Sequence, residues 1–174
     1  MAIKYDNAVR TARTLIGQPY SEIDCIRLIV MIIRRTPGGD PEYRCEGTNW
    51  LWRSIDGSGK YRHLIWRQEN IGGARGGMLA FKRKGEDIHH VGLVTEKGTV
   101  IHASSAAGNV VETPLDGSWS CLGQHRYIKV SQGETAQADE YAADESSVQI
   151  VVIDSAGRRF VPVGDWRVLI GSED

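Results

Sequence analysis

Cys25 is the residue whose type and setting point most directly to chemistry. It stands where a short loop, residues 18–24, becomes an apolar helical run. Its thiol therefore meets unpaired backbone N–H groups and the positive end of a helix dipole, and both favour a thiolate. A thiolate catalyst needs a base. The histidines on offer are His63, His89, His90, His102 and His125. His90 opens the run HVGLV and His102 lies in VIHAS, with Lys97-Gly98 between them as a hairpin tip. That hairpin pairs Val91–Val94 with Val100–Ala103 and brings His90 near His102 across the sheet. Met78 to Phe81 is expected to form a core strand beneath them. Nucleophile, base and orienting group would then stand in the arrangement of a catalytic triad.

Taken singly these residues are unremarkable. A cysteine at a helix start is more often inert packing, and a strand histidine is more often a satisfied surface or core residue. His89 alternates to the other face from His90 and is assigned to solvent or packing. The joint pattern carries the reading. A zinc site built from Cys25, His90 and His102 has no structural-site spacing and no glutamate placed as a base. No metal and no cofactor is expected. Cys45 and Cys121 are the other cysteines; three scattered residues without a CxxC pair make no disulfide framework.

The elements that must position these groups read as helices followed by strands. Asp6 to Ile16 has an N-cap, an apolar stripe and a Gly17/Pro19 stop, so a helix is expected. Asp24 to Arg35 is apolar on nearly every side and reads as a second, buried helix that ends in two arginines suited to its dipole. A short helix is expected near Asn49 to Ile55. From Met78 the pattern turns to short alternating runs: MLAFKRK, HHVGLVTE, GTVIHAS, NVVETPL and HRYIKV. This is an α+β arrangement with an antiparallel meander. Residues 131–147 are acidic and Ala/Ser-rich and read as a flexible linker. Residues 148–174 read as a small β-hairpin appendage, marginal alone. The expected organisation is 1–130, 131–147 and 148–174. Trp50, Trp52 and Trp66 are assigned to packing in preference to lining a groove.

In order, Gly17-Gln18-Pro19-Tyr20, Asp24-Cys25, Gly77-Met78-Leu79-Ala80-Phe81, His90-Val91-Gly92-Leu93 and Ile101-His102-Ala103 resemble the motifs of the NlpC-type cell-wall peptidases. These are papain-like enzymes that cleave between D-glutamate and a diamino acid in peptidoglycan stem peptides. The resemblance covers roughly residues 5–130. It implies a papain-like fold with N-terminal helices packed on an antiparallel sheet. It also implies Cys25 as nucleophile, His90 as general base and then acid, and His102 as the orienting residue. Tyr20 and Asp24 match positions that line the substrate groove, and Asp24 is equally read as a plain helix cap. The pattern departs from the family at Ile26-Arg27, where Ser-Gly is usual, at the short loop before Cys25, and at Gly77-Met78, where Gly-Asp is usual. Those departures bear on specificity more than on chemistry.

The bulk numbers set limits. Residues 1–130 hold 18 Lys+Arg against 13 Asp+Glu, and residues 131–174 hold 3 against 9. A modestly basic main domain suits an anionic polymer such as cell wall, or reflects ordinary surface charge. The expected partner is a peptidoglycan stem peptide, with no nucleic acid and no membrane span, since the best apolar stretch, Ile26–Ile33, is too short and holds Arg27. Met1 to Arg10 lacks the apolar core of a secretory signal. Cytoplasmic synthesis is therefore expected, with action at the wall after lysis or from a bacteriophage particle, to whose tail the C-terminal hairpin would attach. Two alternatives stand beside the peptidase. One is a catalytically altered binding module of a phage tail or wall complex; the other is an amidase or acyltransferase using the same thiolate.

Overall fold

The computed structural model describes residues 2–54 and 59–131, and beyond them the backbone of Val152–Ile153 and Arg159–Phe160. The chain divides into two units, Met1–Glu134 and Thr135–Asp174, each described by itself.

Helix α1 spans Tyr5–Arg13 and buries Ala8, Val9 and Ala12, a stripe at helical spacing. Its last turn loosens through Leu15. The chain then turns at Gly17, whose φ of 86° is open to glycine at little cost. Helix α2 spans Cys25–Arg35, with Asp24 as a side-chain cap accepting the Arg27 N–H at 2.7 Å. Cys25, Leu28, Ile29, Ile32 and Ile33 are buried, the i, i+3, i+4, i+7, i+8 series of one face. Each of the four fully buried aliphatics contributes about 2 kcal/mol of apolar burial. The opposite face is not buried: Arg27, Arg34 and Arg35 are exposed and Val30 and Met31 only half covered. The branched apolar run thus hides an ordinary amphipathic helix. A short helix, α3, spans Thr48–Trp52.

Six strands form one antiparallel sheet in the order β2-β7-β3-β4-β5-β6. They are β2 Ile65–Gln68, β3 Leu79–Lys84, β4 Asp87–Val94, β5 Thr99–Ser104, β6 Asn109–Pro114 and β7 Cys121–His125. β3 to β6 make the expected meander. β7 then crosses back and pairs with β3 on its other side, and β2, not expected as a strand, pairs outside β7. The expected run HRYIKV is divided: β7 ends at His125, and Ile128–Lys129, β8, pairs in parallel with Ile3–Lys4, β1. The bond from the Arg126 N–H to the Leu64 carbonyl is the last rung to β2, and the next N–H, that of Tyr127, turns instead to His125 Nδ1, where the ladder ends. Met78–Phe81 lies beside β4 within the sheet, not beneath it.

Alternation along the strands divides the core. Leu79, Phe81, Val91, Leu93, Ile101, Ala103 and Val110 pack with the buried faces of α1 and α2. Met78, Ala80, Val94, Val100 and Leu122 form a smaller cluster with Trp119 on the other face. In the second unit, Val152–Ile153 pairs antiparallel with Arg159–Phe160, the hairpin expected there. The rest of the expected linker beyond Ser131, and the side chains of 148–174, lie outside the described residues. No described helix is long and apolar enough to cross a membrane.

Candidate active site

The ladder between β4 and β5 is short, pairing Leu93 with Ile101 and Val94 with Val100. The Val94 N–H donates to the Met78 carbonyl on β3. By alternation the Val91 N–H points the other way, to the side where the β5 ladder has stopped. The first turn of α2 fills that place, and the Val91 N–H is directed at the Cys25 thiol. Cys25 is buried, 9% exposed. Burial raises its pKa above the usual thiol value; the Val91, Ile26 and Cys25 N–H groups work against that rise, and the Asp24 charge adds to it.

A bulge lies just before His90 in β4. Lys82 faces His90 and Arg83 faces Ile88, so His89 is the extra residue and turns to solvent. Two residues on, Gly92 has no side chain. A Cβ there would stand 2.9 Å from His102 Cβ and 2.5 Å from Val100 Cγ1. The empty position lets β5 come close and lets the diagonal pair meet: His90 Nε2 and His102 Nδ1 are 2.8 Å apart. His102 Nε2 lies 3.2 Å from Thr113 Oγ1 on β6. The three groups form a chain across three strands, ending at a hydroxyl.

Both imidazoles are depressed to a pKa of about 4, first by burial; for His90 the charges of His102, then Lys82 and His89 add to this, and for His102 the charge of Lys82. At neutral pH each ring carries one proton. With His90 Nε2–H donating to His102 Nδ1, and His102 Nε2–H donating to Thr113, His90 Nδ1 is left as a free acceptor. No described hydrogen bond joins the Cys25 sulfur to either ring. The resting pair is a neutral thiol and a neutral imidazole.

Tyr20 anchors the loop before α2. Its N–H donates to the Gly108 carbonyl at 2.8 Å, and Pro19 bridges to Asn109. Its phenol is half buried and its pKa is raised by burial, then by the charges of Cys25 and Asp24, which puts all three in one neighbourhood. Asp24 has one oxygen committed to the cap and is otherwise exposed. The expected residues therefore gather as follows: His90 with His102 by direct contact, and Cys25 with Tyr20 and Asp24 at the start of α2 against β4.

Sequence reasoning missed Thr113, Lys82 and Trp119. Thr113 was within reach, since the register Ser104↔Asn109 puts it on the His102 face. Trp119 stacks on His90, with centroids 5.5 Å apart and planes at 28°, and meets His102 edge-on at 5.3 Å. It belongs to the loop between β6 and β7, where no period betrays a neighbour. Among the described residues no group of three His, Cys, Asp or Glu could hold a metal ion.

No family model matches the chain, and no curated protein matches it. Solved structures do. RipB of Mycobacterium tuberculosis, a peptidoglycan hydrolase, is similar at 19% identity and a TM-score of 0.52, over 72% of this chain and 65% of that one. The NlpC/p60 domain of the peptidoglycan hydrolase SagA is 19% identical at a TM-score of 0.49, over 68% of this chain and 96% of that one. An NlpC/p60 family protein from Bacillus cereus is 19% identical at 0.49, over 72% of this chain and 40% of that one. The likeness to RipB gives the fold alone: an α+β domain with helices packed on an antiparallel sheet.

Proposed function

We propose that the chain is a cysteine endopeptidase that hydrolyses peptidoglycan stem peptides, at a γ-D-glutamyl–diamino acid bond. The observation that carries this reading is the pairing of His90 with His102 beside a helix-start cysteine. Likeness of fold to RipB, a peptidoglycan hydrolase, supports the substrate class.

His90 Nδ1 takes the proton of Cys25 as the sulfur attacks the scissile carbonyl carbon. The imidazolium formed is steadied by His102, which accepts the Nε2–H and passes its own Nε2–H to Thr113. The oxygen that gains charge is met by the N–H of Cys25. His90 then protonates the leaving amine, and water, with His90 again as base, releases the acid from the thioester. A neutral resting pair means that proton transfer accompanies attack, so substrate must complete the alignment of thiol and ring. Tyr20 and the free oxygen of Asp24 face the substrate, with Asp24 placed for a cationic amine.

The test is incubation of wild type and Cys25→Ala with purified peptidoglycan, with products read by mass spectrometry. Fragments from wild type alone, cut after D-glutamate, are expected. Equal release by the variant would overturn the reading. Products joined to an added amine would point to an acyltransferase. An unreactive Cys25 with retained wall binding would point to a binding module, on a phage tail or elsewhere. Neither alternative has an observation of its own among the described residues.

A further inference from the structure

The loop from Pro114 to Ser120 carries the chain from the β6 edge back to β7, which lies beside β3. The Trp119 N–H donates to the Asp116 carbonyl, the Ser118 N–H to the Asp116 carboxylate, and the Ser120 N–H to the Phe81 carbonyl. These bonds fix the one tryptophan of the loop where it is 3% exposed. Its indole lies flat on His90 and edge-on to His102. The Lys82 ammonium stands 4.8 Å from the same ring and is held by Ser118 Oγ at 3.1 Å. Lys82 is also the cross-strand partner of His90. Packing alone would be met by any apolar side chain. The parallel stack on one imidazole, the edge contact to the other and the captured cation are specific to an aromatic ring.

We infer that Trp119 is a positioning residue for the His90–His102 pair, and that Lys82 holds the indole in place and sets the charge felt by both rings. This rests on the peptidase reading for its consequence in turnover, but the positioning itself is a property of the folded chain. The wall does two things. It fixes the plane of His90, so that Nε2 meets His102 and Nδ1 is left free. It also keeps water from the pair, which strengthens their hydrogen bond and holds both rings neutral. Other charged or titratable groups around the pair are His89 on β4, Cys25 and Asp24 at the start of α2, and Asp116, whose carboxylate partly offsets Lys82. None of these is changed by substitution at 82 or 119.

The experiment follows two readouts on the full chain, with Trp119→Phe, Trp119→Leu and Lys82→Met. Histidine ring signals are titrated by NMR, and kcat and KM are measured across pH on stem peptide. Trp119→Leu is expected to raise the titration midpoints of His90 and His102 toward 6.5 and to lower kcat ten-fold or more with KM little changed. Trp119→Phe, keeping the stack, should recover most of kcat. Lys82→Met, a change at a partly exposed position, should raise both midpoints by about one pH unit. That is the effect of removing one charge at ~10 Å or less in a partly covered site. Midpoints unmoved in both Trp119→Leu and Lys82→Met would overturn the proposal. So would a kcat of Trp119→Leu equal to wild type. If the wild type cleaves no stem peptide, the peptidase reading fails, while the titrations still decide the role of Trp119.

Discussion

Replacing Gly92 by alanine should separate positioning from stability at this site. The backbone tolerates the change, because Gly92 is not in the left-handed region. The obstacle is space. The new methyl would lie 2.5 Å from Val100 Cγ1, 2.9 Å from His102 Cβ and 2.9 Å from the Ile101 carbonyl oxygen. Ordinary carbon contacts lie near ~3.5–4.0 Å, so β5 must withdraw from β4 by about 0.5–1 Å. Valine is stiff at χ1 and the carbonyl belongs to the backbone, so neither yields alone. The His90–His102 separation, now 2.8 Å, would then pass the limit of a useful hydrogen bond. Overpacking costs about 1–3 kcal/mol and the lost bond about 1 kcal/mol, while the stiffer unfolded chain returns about 0.5–1 kcal/mol. The net loss is about 1–3 kcal/mol, a Tm fall of about 2–4 °C for each kcal/mol at this chain length. Displacing the pair we propose as catalytic by this much should lower kcat/KM about 100-fold. Gly123→Ala is the control. Its methyl would be as cramped, 2.5 Å from Ile65 Cγ2 and 3.1 Å from Phe81, but those neighbours are on β2 and β3, away from the imidazoles. Both variants should lose comparable stability by urea unfolding, and only Gly92→Ala should lose turnover per folded molecule. Full activity in Gly92→Ala would refute the claim that the empty Cβ position sets the pair.

Three further outcomes follow from the same geometry. Asp24→Ala should cost about 1 kcal/mol as a lost cap; Asp24→Asn should keep the cap and raise KM alone if the free oxygen meets a substrate amine, whereas an unchanged KM would leave Asp24 as a cap only. His125 is fully buried, bonded to the Tyr43 hydroxyl and the Tyr127 N–H, and depressed to a pKa of about 3 by burial and by Arg126. The unfolded chain therefore binds a proton that the fold refuses between pH 6.5 and 3, and stability falls as pH falls through that window, by about 1.4 kcal/mol per pH unit. His125→Gln should flatten the pH dependence of urea midpoints by one such proton, and an unaltered slope would contradict it. Thr113→Val removes the end of the hydroxyl chain and should lower kcat several-fold with little change in KM; an equal kcat would show that His102 needs no partner beyond His90.

What the sequence disclosed and what it hid divide along one physical line. Cys25, His90 and His102 were legible because each depends on local rules: a cap and an apolar stripe start α2 at Asp24-Cys25, and a hairpin tip at Glu96-Lys97-Gly98, closed by the Thr95 N–H donating to the Thr99 carbonyl, sets the register that carries His90 toward His102. The bulge at His89 was not needed to see this, since alternation alone turned His90 inward. The β7 crossover was not legible, because nothing in CLGQH says that it pairs with β3 and not β6, and IWRQ becomes a strand only when β7 offers it an edge. Trp119 was lost with that crossover, as its contacts follow from the path the loop takes over the sheet. The buried polar residue His125 reads by composition as one more candidate base, yet it is held on the far side of β7 by Tyr43 and Tyr127. Residue type therefore proposes five histidines, register selects two of them, and only the long-range return of β7 supplies the aromatic wall that makes those two a pair insulated from water.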